Sequence, residues 1–242
     1  MLPPVSDLSW QTISTRVAAA TVPLGFDLVQ PFDVARYNVG VSTTEQLNTF
    51  ERARTLGILL GNTRQLWPRF TRAFADDAAL QNAAHPLDTY VVSRLTAVMA
   101  DVTSARTELV FSHVTKPNAF PIQRLAERVG LAAVAPSHLA IHPTHGPWFA
   151  LRAVVVVDVE GPPAPPPLLL RPCVGCSAPC VPALEDALAA SGTPLSSTSV
   201  AAHADAWIAV RDACPVGRAS RYGEAQLAYH YGAGRSRIRL ES

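Results

Sequence analysis

The sequence predicts an α/β chain of the α+β kind, a mixed sheet flanked by helices, ending in a cysteine-bearing cap. Three observations lead there. Short unbroken apolar runs (Thr55–Gly61 and Ala153–Val157) have the length of buried strands. Between them lie stretches with apolar residues at helical spacing. A proline run, Gly161-Pro-Pro-Ala-Pro-Pro-Pro167, then separates this body from a segment that carries every cysteine.

In chain order, Ser6-Asp7 can cap a first helix to about Ala20, with Leu8, Ile13 and Val17 as its apolar stripe. Residues 23–38 read as extended chain broken at Pro31. Thr55–Gly61 is a buried strand. Arg64–Asp77 is helical despite Pro68, and His85-Pro86 starts another helix through Leu87, Val91, Leu95 and Val98. Glu108–Val114 is a strand. Pro121–Val129 is a helix ended by Gly130. Ser137–Pro143 and Trp148–Val157 flank the turn Thr144-His145-Gly146 and predict a β-hairpin, which makes the sheet mixed. The expected division is residues 1–160 as core, with the proline linker and cap, 161–242, packed on the same domain.

The chain has 242 residues, enough for one sizeable core. Its 48% hydrophobic and 16% charged residues argue against disorder. A net charge of +1 provides no field for nucleic acid or anionic membranes. No apolar stretch reaches the roughly 18 residues of a membrane span, and Met1-Leu2-Pro3-Pro4 opens no signal peptide. A cytoplasmic location is expected, where structural disulfides are rare.

On a strand, Trp148, Ala150 and Arg152 alternate onto one face, and Phe149 and Leu151 onto the other. An arginine in an apolar strand is costly unless paired. It is either bridged to a carboxylate at the sheet rim or a ligand clamp. Trp148 and Phe149 fit core packing and ring contact equally. His142 and His145 at the turn are solvated, titrating or metal-binding residues. Cys173-x2-Cys176-x3-Cys180, with Cys214-Pro215 further on, can hold an iron–sulfur cluster or zinc, or be an unmetallated remnant. The fourth position of a bacterial ferredoxin run is Leu184-Glu185 instead.

Three blocks, in order, carry a family resemblance: PLGFDLVQPFDVARYN at 23–38; Ala140-Ile-His-Pro-Thr-His-Gly-Pro-Trp-Phe-Ala-Leu-Arg152; and Trp207, Arg211-Asp212, Arg221-Tyr222 and Tyr229. The chain resembles the cobalamin-processing family of methylmalonic aciduria and homocystinuria type C, cyanocobalamin reductases and alkylcobalamin dealkylases. The resemblance implies a flavin-reductase/nitroreductase-like fold and a cobalamin site. Ser137, His138, Ala140, Trp148, Leu151, Arg152, Tyr222 and Arg235 are the implied cofactor-binding positions. Arg152 and Arg211 are the implied catalytic positions, holding the carboxylates of glutathione. His138 replaces a family glycine and Ala140 a family cysteine. The implied reactions are reductive decyanation by reduced flavin and dealkylation by glutathione. Non-catalytic corrinoid carriage is the alternative, with cobalamin-dependent enzymes or chaperones as partners and a monomer or homodimer as the assembly. Leu125–Leu131 and Ala213–Gly217 also resemble epoxyqueuosine reductases, a third reading. Against it, Val110–Arg128 lacks an aspartate, and there is only one cysteine set.

Overall fold

A computed structural model describes residues 9–114, 119–163 and 171–232. The first helix, α1 (Trp10–Thr21), is capped by Ser9, whose hydroxyl accepts from the Thr12 amide. The expected Ser6-Asp7 cap lies outside the described residues. A short 3-10 turn leads into β1 (Leu28–Asp33), and Asp33 caps α2 (Val34–Asn38). The expected extended stretch 23–38 is therefore strand only in its middle. Pro31 is tolerated because β1 is an edge strand, where a missing donor costs nothing.

The buried strand β2 (Leu56–Asn62) follows, then α3 (Leu66–Asp76), α4 (Ala78–Asn82) and α5 (Pro86–Val102). Pro68 falls in the first turn of α3, where its absent N–H breaks no helical bond. Pro86 opens α5 for the same reason. Next come β3 (Thr107–Phe111) and α6 (Ile122–Arg128). Gly130, at φ +74°, ends α6 in a Schellman turn: its amide donates to Glu127 and the Leu131 amide to Ala126.

The predicted hairpin around Thr144-His145-Gly146 is not formed as one unit. Its first arm contributes β5 (Ala140–Ile141), which pairs with β4 (Ala133–Val134) in a separate two-stranded sheet. Its second arm becomes β6 (Ala150–Val157), the inner partner of β2 and β3. Only His142 and Gly146 bridge across the turn. The main sheet runs β1-β2-β6-β3, and every pairing is antiparallel, so it is not mixed. Long-range pairing outcompetes the local turn because five consecutive β6 residues, Ala153–Val157, are buried between two cores.

One core lies under α1, α3 and α5, with Leu56, Ile58, Leu60, Val155 and Val157 facing it. The other lies under α2 and α6, with Leu59, Phe149, Val154 and Val156. Each such side chain stabilises the fold by roughly 1.5–3 kcal/mol through burial. The C-terminal segment is helical: α7 (Cys180–Ser191), α8 (Ser197–Ala202), α9 (Ala204–Asp212) and α10 (Glu224–Tyr231). It packs against the turn before β6. Gly146 and Gly217 meet backbone to backbone, and a Cβ on either would collide with the other's loop. The His145 ring and the Ser220 hydroxyl share a hydrogen bond of 2.8 Å. Much of the proline run, from 164 onward, lies outside the described residues. Among the described residues no helix is long and apolar enough to cross a membrane.

Candidate functional site

A β-bulge decides where Arg152 points. Leu60 pairs with Ala153 and Gly61 with Leu151, so Arg152 is the extra residue of β6. The bulge brings its guanidinium to Asn62, at the end of β2, where Nε donates to Oδ1 at 2.6 Å. The Asn62 amide in turn donates to the Thr63 carbonyl at 2.7 Å, which fixes its orientation. Arg152 Nη2 is buried and has no hydrogen-bond partner among the described residues. No carboxylate there forms an ion pair with it, so the rim salt bridge is not what holds it. Desolvation lowers its pKa, against the electrostatic pull of Tyr222, Asp88 and Tyr229.

Arg211, near the end of α9, approaches the same region from the C-terminal segment. Its Nη1 donates to the Pro147 carbonyl at 2.9 Å, and its guanidinium lies over the Trp148 and Tyr231 rings. Its Nε is buried and unpartnered among the described residues. Trp148 and Tyr222 are buried together, ring centres 5.5 Å apart in an edge-to-face contact. Among the described residues the Tyr222 hydroxyl makes no well-formed hydrogen bond, although it faces the Arg211 guanidinium. Burial raises the Tyr222 pKa while the Arg211 and Arg152 charges oppose the rise. His230 stacks near Tyr222 at 5.7 Å. His230 is exposed at the rim of the group, and the Arg152 and Arg211 charges beside it, more than burial, lower its pKa. Two guanidiniums, a phenol and an imidazole thus meet with no carboxylate hydrogen-bonded to either guanidinium among the described residues. Leaving one buried donor unsatisfied costs about 1–3 kcal/mol, so an added acceptor would be favourable here.

Beside it opens a cleft of about 220 Å³. Ile122 and Gln123 of α6, Leu139 and Ala140 around β5, Phe149 and Leu151 at β6, and Arg211 line it. A wider hollow of about 550 Å³ continues past Ile122 and Gln123 toward Phe120 and Arg124. The side chains lining the cleft are mostly apolar, with Gln123 and Arg211 as the polar ones. Ala140, Leu151 and Arg211 therefore share the cleft, while Arg152, Trp148 and Tyr222 stand in the aromatic group next to it. Phe149 and Leu151 share a face, as the alternation predicts. Ser137 is buried with an unpartnered hydroxyl and lies outside the cleft lining. His138 is exposed at the β4–β5 turn with φ +61°, a backbone conformation that favours glycine. It does not narrow the cleft. Arg235 lies outside the described residues. Asn62, His230 and Tyr231 were not singled out from sequence. Asn62 closes an apolar run, the one signal that could have marked it.

Cyanocobalamin reductase/alkylcobalamin dealkylase of Homo sapiens is 27% identical over 172 residues, 64% of this chain and 60% of the relative; the Bos taurus protein matches equally. The chain is similar to these cobalamin proteins. The match spans about 60% of the length of each. A solved C. elegans B12-trafficking protein, CblC, a human MMACHC homologue, superposes at TM-score 0.67 with 18% identity over 94% of this chain and 93% of its own. The chain therefore shares the CblC fold, an antiparallel sheet flanked by helices. An epoxyqueuosine reductase solved with a modified tRNA stem loop aligns at TM-score 0.48 and 13% identity, over 89% of this chain and 68% of its own, a likeness too slight to carry an argument. No family model matches the chain.

Proposed function

We propose that this CblC-like chain binds cobalamin in the cleft between α6, β5 and β6 and removes its upper ligand, with Arg152 and Arg211 orienting glutathione. The supporting observation is the pair of arginines beside that cleft whose buried N–H groups lack partners among the described residues. Glutathione carries two carboxylates, and a guanidinium fork binds a carboxylate bidentately. The pair holds the tripeptide so that its thiolate faces the alkyl carbon on cobalt. A carbon–sulfur bond forms, and the electron pair of the cobalt–carbon bond stays on the metal. Phe149 and Leu151 wall the ring on its apolar side. With a cyano ligand, electrons from a reduced flavin release cyanide instead. In both cases the protein positions and the corrinoid reacts. Carriage without chemistry is the second reading, favoured by the trafficking role named for the C. elegans protein.

The test is an anaerobic titration with hydroxo- and methylcobalamin followed by visible absorbance, then turnover with glutathione. Saturable spectral shifts are expected. Arg152→Met and Arg211→Met should keep the shift and lose roughly thirtyfold or more in dealkylation. Retained binding with no turnover in the unaltered protein leaves the carrier. No spectral shift overturns both.

A further inference from the structure

We propose that Cys173, Cys176, Cys180 and Cys214 hold an iron–sulfur cluster. Although spread over two segments, all four line one small pocket of about 20 Å³. Its remaining walls are apolar or proline: Ala135, Ile141, Pro172, Pro179, Pro215 and Val216 among them.

The backbone around the sulfurs is arranged for ligation. The Ala178 amide, two residues past Cys176, turns back and donates to its Sγ at 3.4 Å. Such N–H···S contacts stabilise thiolate and tune a cluster. Cys180 is the first residue of α7, so its sulfur sits at the positive end of a twelve-residue helix. Gly175 at φ +76° and Ala178 at φ +53° bend the Cys173–Cys180 loop around the pocket.

The choice of a cluster over zinc follows the sequence pattern, a Cys-x2-Cys pair with a further cysteine followed by proline, as in bacterial cluster-binding runs. Among the described residues no group of three or more Cys, His, Asp or Glu side chains is already gathered as the ligands of an ion would be. Cys214-Pro215 supplies the fourth ligand that Leu184-Glu185 does not. The pocket is also next to the cleft: Ala140 lines the cleft, and Ile141, its neighbour on β5, lines the cysteine pocket.

The test uses the full chain, purified without oxygen and reconstituted with ferrous iron and sulfide. Broad visible absorption that bleaches on reduction is expected, with iron and sulfide bound in equal amounts, about four of each per chain. Cys173→Ser, Cys176→Ser, Cys180→Ser and Cys214→Ser should each abolish it without altering the far-ultraviolet circular dichroism. Zinc bound without sulfide overturns the cluster in favour of a single ion. Folded protein that retains neither metal overturns the site altogether. A full cluster in the Cys214→Ser protein overturns the fourth ligand. The readout needs no corrinoid, so it stands or falls separately from the reading of the cleft.

Discussion

At the scale of single residues, Arg152 shows a conflict between stability and use. Its guanidinium is held by Asn62 yet has no carboxylate among the described residues, so its charge is buried at a cost. Arg152→Met keeps the stem and removes the charge. In the absence of ligand this variant should be as stable as the parent or more so, by about 1–2 kcal/mol, in urea denaturation. A loss of more than about 2 kcal/mol would show that the fold itself pairs the arginine. His142 makes the opposite case. Its Nδ1 accepts from the Thr144 and His145 amides, so the ring must stay unprotonated. Burial, aided by the charge of His145, lowers its pKa from 6.5 to about 4. The unfolded chain therefore takes up the proton first. The stability from this turn is complete above about pH 6.5 and falls away as pH drops toward 4. Comparing urea midpoints at pH 7 and pH 4.5, His142→Asn should flatten the difference, since its side chain can accept the same amides without titrating. An unchanged difference would place the acid sensitivity elsewhere.

At the scale of elements, what was legible in the sequence was local. The run Thr55–Gly61 reads as a buried strand because, after Thr55, six glycine and branched aliphatic residues leave no polar face. Pro86 and Gly130 mark helix ends because each meets a backbone requirement within a few residues. The pairing of β6 was not legible. A turn rich in glycine and histidine favours a hairpin locally, whereas the partners that win, β2 and β3, lie far back in the chain. The bulge at Arg152 was hidden for the same reason. It exists only as a mismatch between two strands, and Asn62, which receives the guanidinium, is 90 residues away. The candidate site was thus legible as residue types but not as an arrangement. Arg152, Arg211, Trp148 and Tyr222 converge, whereas His138 is exposed and outside the cleft lining. Four cysteines read as a motif, and only the fold brings the fourth to the other three.

At the scale of the whole molecule, the cleft and the cysteine pocket both draw walls from the body and from the C-terminal segment. The seam between the two is narrow, with Gly146 on one side and Gly217 on the other. Gly217→Ala would drive a methyl group into the His145 backbone at a position with φ +74°, and should cost about 2 kcal/mol or more. Hydrogen exchange is the informative readout. Amides of α9 should exchange faster while those of β2 remain protected, because the seam loosens and the sheet does not. Equal acceleration in both would mean that the two parts unfold as one. The same seam constrains how such a sequence can drift. Neither glycine can accept a side chain while the other loop stays in place, so a substitution at one position is tolerated only with a displaced partner loop. In a related chain that lacks the C-terminal segment, the position equivalent to 146 is released from that contact and restricted only by its own φ of +56°. Asparagine or aspartate could stand there. Comparing residue choice at the two positions across such chains would therefore reveal which ones retain the docked half.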